Sequence, residues 1–338
     1  MVTPRLVTAS RRLAAALPSA CALLFVAPPA LAQATDPQDP TNPDSAGHNV
    51  PDKPRPADEP DRTPKLEFRA KGELTFQSDL DEGGGDVQVW RAGAGAGYGF
   101  WIGEQLRLKV DLDAEHSAYQ FDGATGLVPG PAGAPGPGDP FDDFVSVALI
   151  PSATFFLSRD LGLFAGGGPE YSAEAGVDLA DGVNWSGFAG FRYSVNPDFA
   201  FSLGLGARTR SRDSTLWVPI IGVEWKLTDR VSFLTKGLGA RVVAEVREDV
   251  SVWIGGGYEL REFDLDDEGP APGGVLSDRR APVGVGVLWQ TGENLSIELF
   301  GGVVVWQEFE VTGADEQRIS ETNADPAPLL RVTGRLTF

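Results

Sequence analysis

The sequence is poor in the residues that catalytic and metal sites use. Its 338 residues include one cysteine, one methionine and two histidines. The cysteine, Cys21, lies in an N-terminal apolar stretch, so the chain beyond residue 32 carries neither a free thiol nor a disulfide. A lipid-bearing cysteine calls for an aliphatic residue three positions earlier, where this chain has Pro18. His48 and His116 stand far apart and suggest no zinc cluster. Basic residues are outnumbered, 28 against 48 acids. The resulting formal charge of −20 does not fit a nucleic-acid partner. Long apolar runs are missing as well. A membrane-spanning helix needs about 18 apolar residues in a row, and no such run follows residue 32.

What is present divides into three parts. Residues 1–32 read as a secretory signal. Arg5, Arg11 and Arg12 form a basic start, "LAAALPSACALLFVAPPALA" is the apolar stretch, and the small residues ending at Ala32 mark the cleavage site. Residues 33–65 hold eight prolines and seven acids with almost nothing apolar. Such a segment buries too little surface to offset its ordering entropy, so a disordered, extended periplasmic linker is expected there. From residue 66 to 338 the texture changes to two-residue alternation.

In "LEFRAKGELTFQ", Leu66, Phe68, Ala70, Gly72, Leu74 and Phe76 share one face, and Glu67, Arg69, Lys71 and Glu73 share the other. That period belongs to a strand with one apolar and one polar side. "LRLKVDLDAEHSA" repeats it, as does "LLRVTGRLTF" at the C-terminus. Compact polar turns ("GEQ", "SRD", "NPD", "TDR", "RED", "TGEN") alternate with long connections, among them 122–142 and "DLDDEGPAPGGVLSDRR". This rhythm predicts about 14 strands, starting near 66, 87, 105, 143, 161, 183, 199, 216, 231, 239, 250, 281, 295 and 328. Merging or dropping the pair near 231 and 239 leaves 12.

Short turns at one end, long loops at the other and an even strand count match an up-and-down antiparallel transmembrane β-barrel. Aromatic residues fit the same arrangement. Trp90, Trp185 and Trp217 fall near the long-loop ends of their strands; Tyr98, Trp101, Tyr193, Phe199, Trp225 and Trp289 fall near the tight-turn ends. The competing fold is a soluble sandwich, which would turn the apolar faces inward.

The closing pattern, apolar at every second residue and ending in Phe338, resembles the terminal strand by which bacterial outer-membrane barrels are recognised for assembly. Taken with the signal segment and the hairpin rhythm, residues 66–338 resemble uncharacterised, porin-like outer-membrane β-barrel families of Gram-negative bacteria. The resemblance implies residence in the outer membrane and outer-membrane lipid around the wall. It also implies Phe338 as an assembly signal read by the barrel assembly machinery, with the last strand closing on the first. It leaves the oligomeric state open.

The remaining motifs weigh little as chemistry. "RAGAGAGYGF" lacks the third glycine of a dinucleotide loop; Gly93, Gly95, Gly97 and Gly99 read better as a bare inward stripe that lets a neighbouring side chain lie against the wall. "GPAGAPGPG" is too short for a collagen helix and reads as an external loop able to enter or cover the pore. "DLDDEG" starts like a calcium loop but has Val275 at the twelfth position, which leaves an acidic external loop. Ser117 beside His116 points to the opposite strand face, so no catalytic pair forms. No enzymatic activity and no cofactor are expected.

The charged inward faces are the candidate site. Glu67, Arg69, Lys71 and Glu73 on the first strand are expected beside Arg331 and Arg335 on the last. Arg107, Lys109, Asp111, Asp113 and Glu115 stand two strands away, and Arg192 and Arg208 continue round the wall. These thirteen residues are candidate lumen lining. They form either a cross-strand ion-pair network or a charge-selective pore. Two functions follow. One is a passive channel or transporter for small hydrophilic solutes, and the other a closed structural or surface-interaction barrel acting through acidic external loops.

Overall fold

The computed structural model describes residues 63–338 except 82–83, 131–133, 180–181 and 211–212. The expected secretory signal 1–32 lies outside the described residues, as does the expected linker up to residue 62. The strands of the first half are β1 (Lys65–Asp79), β2 (Asp86–Ile102), β3 (Leu106–Asp122), β4 (Asp143–Phe156), β5 (Leu161–Glu174), β6 (Val183–Asn196), β7 (Phe199–Arg210) and β8 (Asp213–Thr228). The second half has β9 (Val231–Lys236), β10 (Gly239–Arg247), β11 (Val250–Gly257), β12 (Glu259–Asp264), β13 (Val275–Thr291), β14 (Leu295–Thr312), β15 (Arg318–Ala324) and β16 (Ala327–Thr337).

These sixteen segments make fourteen strands, because two strands are broken. β13 pairs with β11 over Val283–Trp289 and with β12 over Val275–Arg280, so β11 and β12 are one strand interrupted at Tyr258. β14 likewise pairs with β16 and then β15, an interruption at Asp325–Pro326. Proline there removes a ladder donor, which accounts for the break. The ring closes as β16 runs antiparallel to β1 from Glu67↔Thr337 to Thr75↔Leu329. The protein is a closed, all-β, fourteen-strand antiparallel barrel.

Strand starts fall within three residues of the sequence expectation, except that β13 begins at Val275, six residues before 281. The weakly patterned pair at 231 and 239 is present as the hairpin β9–β10. Apolar side chains face outward: Leu66, Phe68, Leu112, Leu163, Ile221, Ile254 and Leu299 are exposed, whereas Glu67, Glu73, Asp111 and Glu115 are buried inside. A soluble sandwich would show the reverse. Trp90, Trp185 and Trp217 are exposed near one rim, and Tyr98, Tyr193, Trp225 and Trp289 near the other. On β8 the two belts are eight residues apart, about 26 Å along the strand at ~3.3 Å per residue. The tight turns use left-handed backbone at Gly103 and Gly292 (φ 65° and 74°).

A second closure sits inside the first. β12 leaves the wall and crosses the lumen. Asp264 pairs in parallel with Ala173 of β5, and Ser172 Oγ donates to the Glu262 carbonyl at 2.8 Å. Leu80 bridges to Ala324 at the top of β1. In the long-loop half, β1–β5 and β12–β15 therefore close as a nine-strand ring. Its interior is a packed core of Val89, Tyr119, Phe121, Phe144, Phe263, Leu276 and Phe309. Phe144 and Phe263 lie 4.4 Å apart between ring centroids. Residues 123–142 contribute Ala124, Leu127, Val128 and Phe141 to this core, so that loop covers the pore. The expectation of an acidic external loop at "DLDDEG" holds for Asp266–Glu268, where Asp267 and Glu268 are exposed in a turn, and fails on either side of it. Asp264 ends a buried strand, Leu265 joins the core, and 275–280 belong to β13. The sequence there lacks two-residue alternation because both faces of β12 are covered.

Candidate functional site: the charged interior

Below the aromatic core the interior is ionic. Two-residue alternation aims every second side chain of β1, β2, β3, β13 and β16 inward, and the antiparallel register decides which charges meet. Arg69 stands opposite Arg335, a like-charged pair across the seam. Carboxylates from β1 and β3 offset it: Arg69 Nη2 donates to Asp111 and Asp113 at 2.9 Å each, and Glu67 lies 3.4 Å from both arginines. Lys71 Nζ meets Glu115 at 3.0 Å, and Lys109 Nζ meets Asp111 at 3.1 Å. The pairs of Arg69 and Lys71 with β3 carboxylates span two strands because the bare stripe on β2 lies between. A Cβ on Gly95 would overlap the Asp113 carboxylate, and one on Gly97 would crowd Asp111. The glycines let β1 and β3 side chains reach each other across β2.

At the boundary with the core sits a dry knot. The Glu73 side chain is 0% exposed and accepts from Arg91 Nη1 at 2.8 Å, Arg331 Nε at 2.6 Å and Arg280. Glu259 of β12 binds Arg280, Arg331 (2.7 Å) and Arg261 (2.9 Å). Arg261 reaches Glu115 at 3.1 Å. Asp278 receives Arg91, the Tyr119 hydroxyl (2.7 Å) and Gln307 Nε2 (2.8 Å). Buried charges persist only when paired and hydrogen-bonded, and nearly every member here has several partners.

Of the thirteen candidate lining residues, Glu67, Arg69, Lys71, Glu73, Asp111, Asp113, Glu115, Arg331 and Arg335 come together in these networks. Arg107 is buried near the tight-turn rim beside Glu67 and Lys109, where a small cavity opens. Arg192 and Arg208 stand on the opposite wall: Arg192 pairs with Glu224 at 2.7 Å, and Arg208 with Glu170 at 2.9 Å. Arg210 and Arg208 both reach Glu262 on the far face of β12. Phe338 exchanges backbone hydrogen bonds with Leu66 (2.8 and 3.1 Å), and its ring meets Phe68 edge-on at 6.3 Å. His116 Nε2 contacts Asp143 at 2.9 Å on the outer side near Trp90, away from the buried Ser117.

Sequence reasoning missed Arg91, Glu259, Arg261, Asp278 and Arg280. Arg91 shares its parity with the Gly93–Gly99 stripe, a signal that could have placed it inside. Arg280 and Asp278 fell in a segment expected to be loop. A further group on the lower wall was also missed. Trp253 stacks on Phe300 at 5.1 Å, with Arg241 over the indole and Arg331 over the phenyl ring. Gly286 makes room for this stack, because a Cβ there would overlap the indole.

No family model and no curated protein matches this chain. Solved outer-membrane channels resemble it in fold. The Pseudomonas putida toluene transporter TodX aligns over 81% of this chain and 89% of its own, with 8% identity and a TM-score of 0.43. An outer membrane channel from Pseudomonas putida F1 aligns over 85% and 100%, with 12% identity and a TM-score of 0.42. The KdgM porin aligns over 81% and 99%, with 9% identity and a TM-score of 0.27. Likenesses of this size concern barrel shape and leave the solute to this chain's own residues.

Proposed function

We propose that the protein is a passive outer-membrane channel whose ionic chamber, on the tight-turn side, admits small solutes from the periplasm. The observation that carries this reading is the contrast between the two halves of the lumen. At the core the Glu73 and Arg91 side chains are 0% exposed, whereas nearer the tight turns Asp113 on one wall and Arg192 and Glu224 on the other are 32%, 21% and 31% exposed. A wall of fourteen strands encloses more than side chains fill, and charged, hydrated linings favour hydrophilic groups. Single-channel recording of the purified protein in a planar bilayer tests the reading. Discrete, ohmic openings support it, and R192E and R241E should shift the selectivity toward cations. A silent bilayer with folded protein refutes it.

The filled nine-strand ring favours a second reading, a closed structural barrel. Among the described residues, Ala124, Leu127, Val128 and Phe141 pack with Phe263 of β12 in the core that fills this half. Silence in the same recordings would select that reading.

A further inference from the structure

The long-loop end of the lumen is blocked, yet the wall itself is incomplete at one place. The β9–β10 hairpin turns back early, between Lys236 and Gly239. Among the described residues, β8 pairs with β9 only from Glu224↔Leu234 to Thr228↔Val231, whereas β7 follows it up to Arg210↔Asp213. The strand that continues the wall beyond the hairpin, β12, has crossed to β5 instead. A gap is left between the upper edge of β8 and β12, above the hairpin turn.

This edge is built to stay open. Thr235 Oγ1 ends the ladder, accepting from Val223 N at 2.7 Å and donating to the Ile221 carbonyl at 3.2 Å. Backbone groups alternate sides along a strand, so Val223, Ile221 and Pro219 all face the gap. Pro219 brings no N–H to leave bare, a common means of protecting an edge. The depth is also defined. Trp217 is 62% exposed in the long-loop belt and Trp225 lies in the tight-turn belt, so the edge between them is at the level of the hydrocarbon. Bare strand edges at that depth are tolerated only where they border protein or a cavity.

The lining is apolar, unlike the ionic half of the interior. Leu216, Val218 and Ile220 point inward, opposite Arg208, Gly206 and Gly204 of β7. Leu234 points inward opposite Glu224. On β12, Leu260 shares a face with Glu262, which meets Arg208 and Arg210. The charged chamber lies directly below.

We propose that this gap is a side portal through which small amphipathic molecules pass between the chamber and the outer-membrane hydrocarbon. Leu216, Val218 and Leu234, backed by the buried Leu260, hold the apolar part while the Arg192–Glu224 region of the chamber receives the polar end. The proposal deepens the channel reading, since the chamber supplies the other end of the route.

Carbene photolabelling tests it. The chain is reconstituted in phosphatidylcholine vesicles containing a phenyl(trifluoromethyl)diazirine, illuminated, and mapped by mass spectrometry. Adducts are expected on inward Leu216, Val218 and Leu234 as well as on outward Trp217 and Ile221, with none on the inward Leu288 and Val304. Decanoate should lower the inward adducts several-fold and leave the outward ones unchanged, and V218E should do the same. Adducts confined to outward residues overturn the proposal. So does a cross-linked dimer in which the β8 edge is protected, because a second copy's strand then covers the gap. Conductance of the same preparation separates the two readings. Inward adducts without conductance keep the portal and remove the channel, whereas conductance without inward adducts keeps the channel and removes the portal.

Discussion

Replacing Glu73 by glutamine keeps the shape of the dry knot and removes its central charge. The carboxylate is fully buried and is shared by Arg91, Arg280 and Arg331. After the change these guanidinium groups keep the carboxylates of Asp278 and Glu259, with Arg261 competing for the latter, and neutral acceptors at Tyr119 and Thr75. Breaking one side of a buried pair costs about 3–5 kcal/mol, because the partner charge stays in a dry site. At ~1.4 kcal/mol per tenfold, the folding constant should fall roughly a hundred- to several-thousand-fold. E224Q supplies the comparison. Glu224 and Arg192 are hydrated, and loss of such a pair is worth about 0–1 kcal/mol. Urea unfolding in lipid vesicles, followed by tryptophan fluorescence and by heat-modifiable migration on gels, measures both variants. A double variant, E73Q with R91M, should recover part of the loss by removing charge from both sides. If E73Q unfolds within about 1 kcal/mol of E224Q, the knot is not dry and the reasoning fails.

The other predictions use the same assays. R331E should destabilise far more than R335E, since Arg331 bonds two buried carboxylates and Arg335 only approaches Glu67 at 3.4 Å; equal losses would contradict the register at the seam. G286V should cost about 1–3 kcal/mol by driving a side chain into Trp253, while G334A, with open space around its added methyl group, should be neutral. Deleting Phe338 should lower the amount of folded barrel in cells more than the yield of refolding from pure components. Its ring is 62% exposed, and the folded state loses chiefly two backbone hydrogen bonds worth about 0.5–1.5 kcal/mol each. An equal fall in both settings would count against a role in assembly.

Much of the barrel was legible because the wall has one apolar and one polar face. Wherever lipid covers one side and charge the other, as on β1, β3 and β16, period-two alternation names both the strand and its inward residues. Legibility fails where that asymmetry fails. β12 is buried on both faces, so "ELREFD" shows no alternation and its inward turn left no mark. The start of β13 is hidden for the same reason: Val275, Leu276, Ser277 and Asp278 are all buried. The dry knot was half visible, through Glu73, Glu115 and Arg331. Arg261, Arg280 and Asp278, the half carried by β12 and β13, was invisible. The pairing of β12 with β5 joins residues about ninety positions apart, and no local pattern encodes it.

The two closures explain why the interior changes character along its length. An eight-strand barrel leaves room only for its own side chains, and a nine-strand ring is close to that limit. Folding β12 across to β5 narrows the long-loop half until opposite walls touch, and Tyr119, Phe144, Phe263 and Phe309 fill what remains. Charges at the margin of that half, such as Glu73 and Arg91, lose their water and survive only as a tightly shared network. The tight-turn half keeps all fourteen strands, so Arg192, Glu224, Arg241 and Glu298 remain hydrated. The narrowing also forces the gap. A strand spent on the inner ring is missing from the outer wall, and with β9–β10 too short to replace it, β8 keeps a free edge. One displaced strand thus seals the axis, dries the knot and opens the side.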